Sequence, residues 1–170
     1  LSIWSAGCSS GEEPYTLAIL LLETLRLEAK QWRIRITAND LSEAMLEKAR
    51  QGLYGDYALK TTPSEIIRRY FTEEDGGRRI RPEVKKLVHF GPINLNDRAA
   101  VKRVPRSDIV FCRNVIIYFD TEMKKRVVAG FYDNLLSGGY LMIGHSESLH
   151  HITTAFKPVH HPGTIAYRKE

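Results

Sequence analysis

Cysteine is scarce in this chain: Cys8 and Cys112 are the only two among 170 residues. Two thiols make no disulfide framework, so the fold must rest on its core, and a reducing, cytoplasmic setting is the simpler reading. Long apolar runs are missing as well. None approaches the roughly 20 residues a bilayer span requires, so no membrane insertion is expected. No charged-then-apolar leader is expected at the start either; the chain opens inside a strand-like run, Leu1 to Trp4, and a piece of a longer protein is the expectation. There is no zinc-finger spacing and no basic stripe interleaved with aromatics, so nucleic acid is not expected as a partner. The net charge of +5 and pI near 9.2 point instead to an acidic partner surface. Internal repeats and low-complexity linkers are lacking too. What remains, at 43% hydrophobic and 26% charged, is one domain long enough to bury a real core.

The stretch around which the rest is organised is LSIWSAGCSSGEEPYT, Leu1 to Thr16. Strand-type residues lead into Ala6-Gly7-Cys8-Ser9-Ser10-Gly11, six positions without a bulky side chain. Glu12-Glu13-Pro14 then starts a helix, where proline's missing N–H would lack a partner anyway. Small residues at a strand-to-helix turn let a ligand approach the backbone closely, and in open α/β sheets nucleotide-like ligands sit there. A phosphate cradle wants glycine amides and usually a lysine. This turn has no lysine, and two carboxylates follow it. They would repel a pyrophosphate and favour a cationic ligand such as S-adenosylmethionine, which carries a sulfonium and an ammonium. Taken alone, Glu12 and Glu13 read equally well as first-turn acids complementing the helix dipole.

Further along, apolar residues at 17, 18, 21, 22 and 25 give a helical period over Glu13 to Leu27. Arg33 to Ala38 alternates and closes on Asn39-Asp40; Ser42 is a plausible N-cap for a helix over Glu43 to Gln51. Strand, helix, strand ending in an acid is half of a doubly wound fold. Asp40 falls 29 residues after Gly11, beyond the ~20 usual for nicotinamide binders. A carboxylate there can accept both ribose hydroxyls of an adenosine.

Residues 53–90 break the alternation. They read as a small helix-plus-hairpin insertion: a short helix opened by Thr62-Pro63-Ser64-Glu65 and reaching Tyr70-Phe71, a turn at Asp75-Gly76-Gly77, and a β-like run from Leu87 to Phe90. Eight basic against six acidic side chains leave the stretch at +2, which is either a solvated face or a docking patch for an acidic partner. Beyond it, Ser107 to Cys112 is a short buried strand ending in Arg113-Asn114; a helix runs from Thr121 to Leu136, stopped by Ser137-Gly138-Gly139; Tyr140 to Gly144 is a strand; and Phe156 to His161 with Thr164 to Arg168 forms an antiparallel hairpin. The expected fold is α/β: a doubly wound, mostly parallel, Rossmann-like sheet of about seven strands with an antiparallel C-terminal hairpin.

Six motifs in order, WSAGCSSGEEPY, TANDLS, LEKARQGLY, INL, FCRNVIIYF and GHSES, resemble the catalytic domain of the CheR-type chemotaxis receptor methyltransferases. These are protein-glutamate O-methyltransferases of signal transduction that use S-adenosyl-L-methionine and release S-adenosyl-L-homocysteine. The resemblance spans nearly all of Leu1 to Arg168. It implies that Ala6, Gly7 and the GEEPY acids, Glu13 ahead of Glu12, hold the methionine end. It implies that Asp40 binds the ribose, that Asn94 and Leu95 border the adenine, and that Arg113 and Asn114 line the cofactor crevice. Tyr118 would face the transferred methyl, which makes Tyr118 and Arg113 the candidate catalytic residues. The implied partner is the cytoplasmic helical region of methyl-accepting receptors, and a monomer is expected.

The chain departs from the family in two ways. Members usually carry a helical domain ahead of this one, so weak binding and poor methylation are expected of these residues alone. The Thr72 to Gly77 turn looks shorter than in members that grip a tethering peptide, so receptor recognition without that tether is expected. The chemistry asks little of a base, because a glutamate with pKa near ~4.3 is already ionised. Alignment can supply roughly 7–11 kcal/mol of a barrier, and Tyr118 can donate one orienting hydrogen bond. The late histidines His145, His150, His151, His160 and His161 match no zinc spacing, and no metal is expected. Cys8 has no adjacent base and reads as a small turn residue. Two other readings stay open: a methyltransferase acting on a small molecule, and a regulatory module that binds S-adenosylmethionine without transferring methyl. Nicotinamide redox chemistry is disfavoured by the acidic helix start.

Overall fold

The computed structural model describes residues 1–170. Ten strands and seven α-helices alternate: β1 Ser2–Ala6, α1 Glu12–Leu25, β2 Arg35–Asp40, α2 Glu43–Gln51, β3 Leu53–Tyr54, α3 Asp56–Leu59, α4 Ser64–Tyr70, β4 Phe71–Glu74, β5 Gly77–Ile80, α5 Pro82–Lys85, β6 Val88–Pro92, α6 Arg98–Arg103, β7 Ser107–Cys112, α7 Thr121–Asn134, β8 Leu135–Ile143, β9 Phe156–His161 and β10 Thr164–Lys169. Seven strands make the main sheet, in the order β6-β2-β1-β7-β8-β10-β9, and β3-β5-β4 make a second, three-stranded sheet. β1, β7 and β8 run parallel, as do β2 and β6, whereas β10 is antiparallel to both β8 and β9. The expected seven-stranded sheet with a reversed C-terminal hairpin is therefore present.

The chain divides into two compact units. The first comprises residues 1–7 and 93–170. Its core gathers Trp4, Val110, Val127, Val128, Phe131, Leu135 and Leu141, all fully or almost fully buried. The i, i+1, i+4 spacing of Val127, Val128 and Phe131 gives α7 one apolar face, and Phe131 meets the Trp4 ring edge-on at 5.3 Å. Asp120 starts α7 by accepting the Met123 amide at 2.8 Å.

The second unit is residues 8–92. α1 buries Pro14, Tyr15, Ala18 and Ile19, and α2 buries Leu46 and Ala49. Ser42 caps α2 as its sequence position implies, accepting the Met45 amide. Both cysteines are buried and neither is in a disulfide.

Several expected boundaries move. α1 stops at Leu25, where Arg26 takes a positive φ of 45°, and a six-residue 3-10 stretch, Arg26–Gln31, follows. The run at Leu87 to Phe90, read with the insertion, belongs to β6 of the main sheet, where Val88 to Pro92 pair with Ile36 to Asp40. The insertion's own sheet instead gains β3, whose Leu53 and Tyr54 pair with Arg79 and Arg78. The helix expected to reach Leu136 ends at Asn134, whose buried side chain donates to the Val104 and Pro105 carbonyls. Ser137-Gly138-Gly139 does not stop that helix; it lies within β8. There the register jumps from Ser107 opposite Leu135 to Ile109 opposite Tyr140, so three extra residues bulge from the strand. Gly138 supplies the φ of 78° this needs, and a Cβ on Gly139 would fall 2.7 Å from the Asp108 carbonyl oxygen.

Candidate functional site

In the first unit, β1 and β7 run side by side with Ser5 opposite Phe111, so Ala6-Gly7 and Arg113-Asn114 leave the sheet at the same, carboxyl-terminal edge. Ala6 is fully buried. Gly7 turns the chain with φ 84°, and a Cβ there would lie 2.4 Å from Val115 Cγ2. Both the dihedral and the close approach demand glycine.

Arg113 and Asn114 are exposed, and Asn114 holds a left-handed φ of 59°. A 3-10 turn, Ile116–Tyr118, follows; it buries Ile116 and leaves Tyr118 80% exposed. On a separate loop, Asn94 Oδ1 accepts the Asn96 amide at 2.9 Å, an Asx turn that leads to the Asp97 cap of α6. Leu95 packs against the core. The Asn94 carbonamide oxygen is thus already engaged locally, a use its sequence position does not reveal.

The residue that organises this edge is one that motif reading quotes without giving it a role. Glu147, from the GHSES turn, accepts backbone amides with both oxygens: Oε2 from Gly144 at 2.6 Å and Asn114 at 2.9 Å, Oε1 from Val115 at 3.0 Å and Ile117 at 3.3 Å.

In the second unit, the turn after β1 is fixed from several sides. Cys8 N–H donates to the Asn39 carbonyl at 2.9 Å, and Gly11 N–H to that of Cys8 at 3.0 Å. The Asp40 carboxylate accepts the Ser9 amide on Oδ2 at 2.8 Å and the Ser42 amide on Oδ1 at 2.9 Å. Each oxygen keeps a lone pair for a further donor. Gly11 caps α1 at φ 92°, with room for a Cβ denied by Ala49 and the Tyr54 hydroxyl. That hydroxyl donates to the Ser10 carbonyl at 2.8 Å, so β3 of the insertion braces the turn. Tyr15, the tyrosine of GEEPY, is a buried strut whose hydroxyl donates to the Ala49 carbonyl at 2.9 Å.

The acids give the turn a negative field. Glu12, exposed, accepts the Ser10 hydroxyl on both oxygens, at 2.9 and 2.8 Å, and Glu13 is half-buried. Cys8 reports the field: burial first, then the carboxylates of Asp40, Glu13 and Glu12, push its thiol from 9.0 to about 12, against a backbone hydrogen bond that lowers it. A thiol so disfavoured as thiolate is no nucleophile. The same field suits a cationic adenosyl ligand and opposes a pyrophosphate.

Five of the eight basic side chains of the insertion have partners within the second unit. Arg69 pairs with Glu23, Arg79 with Glu74 and Arg78 with Asp56; Arg81 and Lys85 donate to backbone carbonyls. No helix is long and apolar enough to cross a membrane.

Comparison with known proteins bears directly on this geometry. The family model "CheR methyltransferase, SAM binding domain" matches residues 1–165. The chain is 44% identical to a chemotaxis protein methyltransferase of Vibrio parahaemolyticus over 97% of its own length and 61% of the relative's. It is 39% identical to chemotaxis protein methyltransferase 2 of Vibrio cholerae, over 92% and 54%, and 37% identical to the Escherichia coli chemotaxis protein methyltransferase, over 91% and 54%. It therefore spans little more than half the length of these relatives. Among solved structures, TrmN from Thermus thermophilus superposes with a TM-score of 0.54 at 14% identity, covering 99% of this chain and 42% of that one. Magnesium protoporphyrin IX methyltransferase from Synechocystis, with bound SAM, gives 0.52 at 15%, covering 99% and 69%. Those two likenesses concern the fold alone, a mostly parallel α/β sheet of the Rossmann-like kind. With the family model matching nearly end to end, this chain belongs to the CheR methyltransferases, as their SAM-binding domain.

Proposed function

We propose that the protein transfers a methyl group from S-adenosylmethionine to glutamate side chains of the cytoplasmic helical region of chemotaxis receptors, forming methyl esters. The observation that carries this reading is the 37–44% identity to chemotaxis protein methyltransferases over more than nine-tenths of the chain. The charge of the turn after β1 supports it independently. After burial, the larger cause, the carboxylates of Asp40, Glu13 and Glu12 raise the Cys8 thiol, and no lysine stands among residues 6–16, which fits a sulfonium and an ammonium and not a pyrophosphate.

On this reading Ala6, Gly7, Glu12 and Glu13 hold the methionine end. Asp40 accepts the ribose hydroxyls on its remaining lone pairs, Asn94 and Leu95 border the adenine, and Arg113 and Asn114 line the crevice. When bound, the cofactor supplies an electrophilic methyl carbon whose bonding pair to sulfur returns to sulfur, leaving S-adenosylhomocysteine. The acceptor carboxylate is already ionised and needs no base. Tyr118, exposed and ahead of the α7 cap, donates a hydrogen bond that orients it, and Arg113 adds a positive charge beside it. Alignment is the chain's main contribution.

A cytoplasmic site of action, a monomer and recognition without a tethering peptide complete the proposal. Tritiated methyl recovered from receptor as a base-labile ester tests it. Label in a small-molecule product, or binding with no transfer to any acceptor, would favour the small-molecule enzyme or the regulatory module in turn.

A further inference from the structure

The Glu147 carboxylate accepts four backbone N–H groups, from Gly144, Asn114, Val115 and Ile117, at 2.6, 2.9, 3.0 and 3.3 Å. Three of them belong to the segment 113–118 that carries Arg113, Asn114 and Tyr118. The fourth belongs to the residue just past β8. Beyond these bonds, the Tyr118 and Phe119 amides close the 3-10 turn on Val115 and Ile116, Ile116 is its one buried side chain, and Val115 packs against the core. It also holds a residue in the left-handed region, Asn114, a conformation that costs free energy unless its surroundings enforce it.

The packing around the carboxylate leaves it no slack. A Cβ on Gly144 would lie 2.6 Å from Asn114 Oδ1 and 2.8 Å from Glu147 Oε2. Only an acceptor on both terminal atoms satisfies the arrangement. Glutamine has nearly the same shape but turns an NH2 toward one pair of amides, setting donor against donor. Aspartate keeps both acceptors and reaches one carbon less far.

We propose that Glu147 is a positioning residue for methyl transfer, holding the 113–118 segment so that Tyr118 and Arg113 meet the acceptor carboxylate in one fixed geometry. This rests on the methyl-transfer reading above. It makes no claim that Glu147 touches substrate.

The test has two arms, both in the full chain. Amide hydrogen exchange, which needs no activity, is compared in wild type, E147Q and E147D. In E147Q the amides of Asn114, Val115 and Ile117 should exchange at least about tenfold faster, while core amides of β7 such as Val110 stay protected. Turnover toward a receptor fragment should fall about 10- to 100-fold in E147Q, with S-adenosylmethionine affinity changed less than threefold, and E147D should retain more turnover than E147Q. A side chain that merely fills space would reverse that order, because glutamine is the closer isostere, and that reversal would overturn the proposal. So would unchanged exchange in E147Q, or faster exchange with undiminished turnover. If E147Q does not fold, E147D carries the test: a rate between wild type and background with raised exchange at the same amides supports the proposal, and wild-type values in both overturn it. Wild-type protein that transfers no methyl, while E147Q still loosens the segment, identifies failure of the methyl-transfer reading alone.

Discussion

Asp40 holds the amide of Ser9 at 2.8 Å across 31 residues of chain. The acid at the end of β2 thereby shapes the turn at the start of α1, and its other oxygen secures Ser42 at the entry to α2. A position readable as a helix-capping acid or as a ribose ligand serves the turn first, with lone pairs left for a ligand. Replacing Asp40 by Ala should therefore lower stability by about 1–3 kcal/mol, the usual scale for hydrogen bonds to a charged group, and weaken S-adenosylmethionine binding by an order of magnitude or more. Urea unfolding and titration calorimetry measure the two. A variant that loses stability but binds normally would confine Asp40 to the fold.

Gly7 stands at φ 84° with Val115 Cγ2 2.4 Å from where a Cβ would sit. Gly7→Ala should cost roughly 1–3 kcal/mol from dihedral strain alone, and more from the clash. Adding Val115→Ala should recover the clash and leave the strain, so thermal unfolding of the double variant should fall between wild type and Gly7→Ala. A double variant no better than the single one would show that Val115 does not limit the turn.

Much of this architecture was legible in the sequence because it has local causes. The α2 boundaries follow from Ser42 and the spacing of its apolar residues, and the positions of β7 and the terminal hairpin follow from apolar runs and the Pro162-Gly163 turn. The misreadings share one origin, long-range partners. Gly138-Gly139 looks like a helix stop, yet what ends α7 is Asn134 reaching back to Val104 and Pro105. Leu53-Tyr54 is too short to alternate and becomes a strand only because β5 lies beside it. Glu147 is visible only as a letter in a motif, since nothing local to it shows that amides 30 to 33 residues earlier converge on it.

The Cys8 thiol, raised from 9.0 to about 12, gives a pH dependence of definite sign. The unfolded chain loses this proton above about pH 9, whereas the folded chain keeps it until about 12. The thiol's contribution to stability is therefore fully present below pH 9 and is lost as pH climbs toward 12. Burial raises the Tyr15 and Tyr54 phenols in the same direction. Urea midpoints should be insensitive to these groups from neutral pH to about 9 and fall beyond it, and iodoacetamide at about pH 8.5 should modify Cys8 far more slowly in folded than in unfolded protein. Equal rates would contradict a protonated, buried thiol.

Tyr118 is 80% exposed, so its hydroxyl is open to a substrate and contributes little to packing. Tyr118→Phe should leave the melting temperature and S-adenosylmethionine affinity near wild type while lowering turnover about tenfold or more, in keeping with loss of one orienting hydrogen bond. Undiminished turnover would remove the hydroxyl from the chemistry.

The charge of the turn between β1 and α1 selects the ligand, and titration calorimetry of the chain with S-adenosylmethionine, S-adenosylhomocysteine and NAD tests that selection most directly. Saturable heat is predicted with both adenosyl compounds and none with the dinucleotide. Binding of NAD, with no heat from either adenosyl compound, would contradict it.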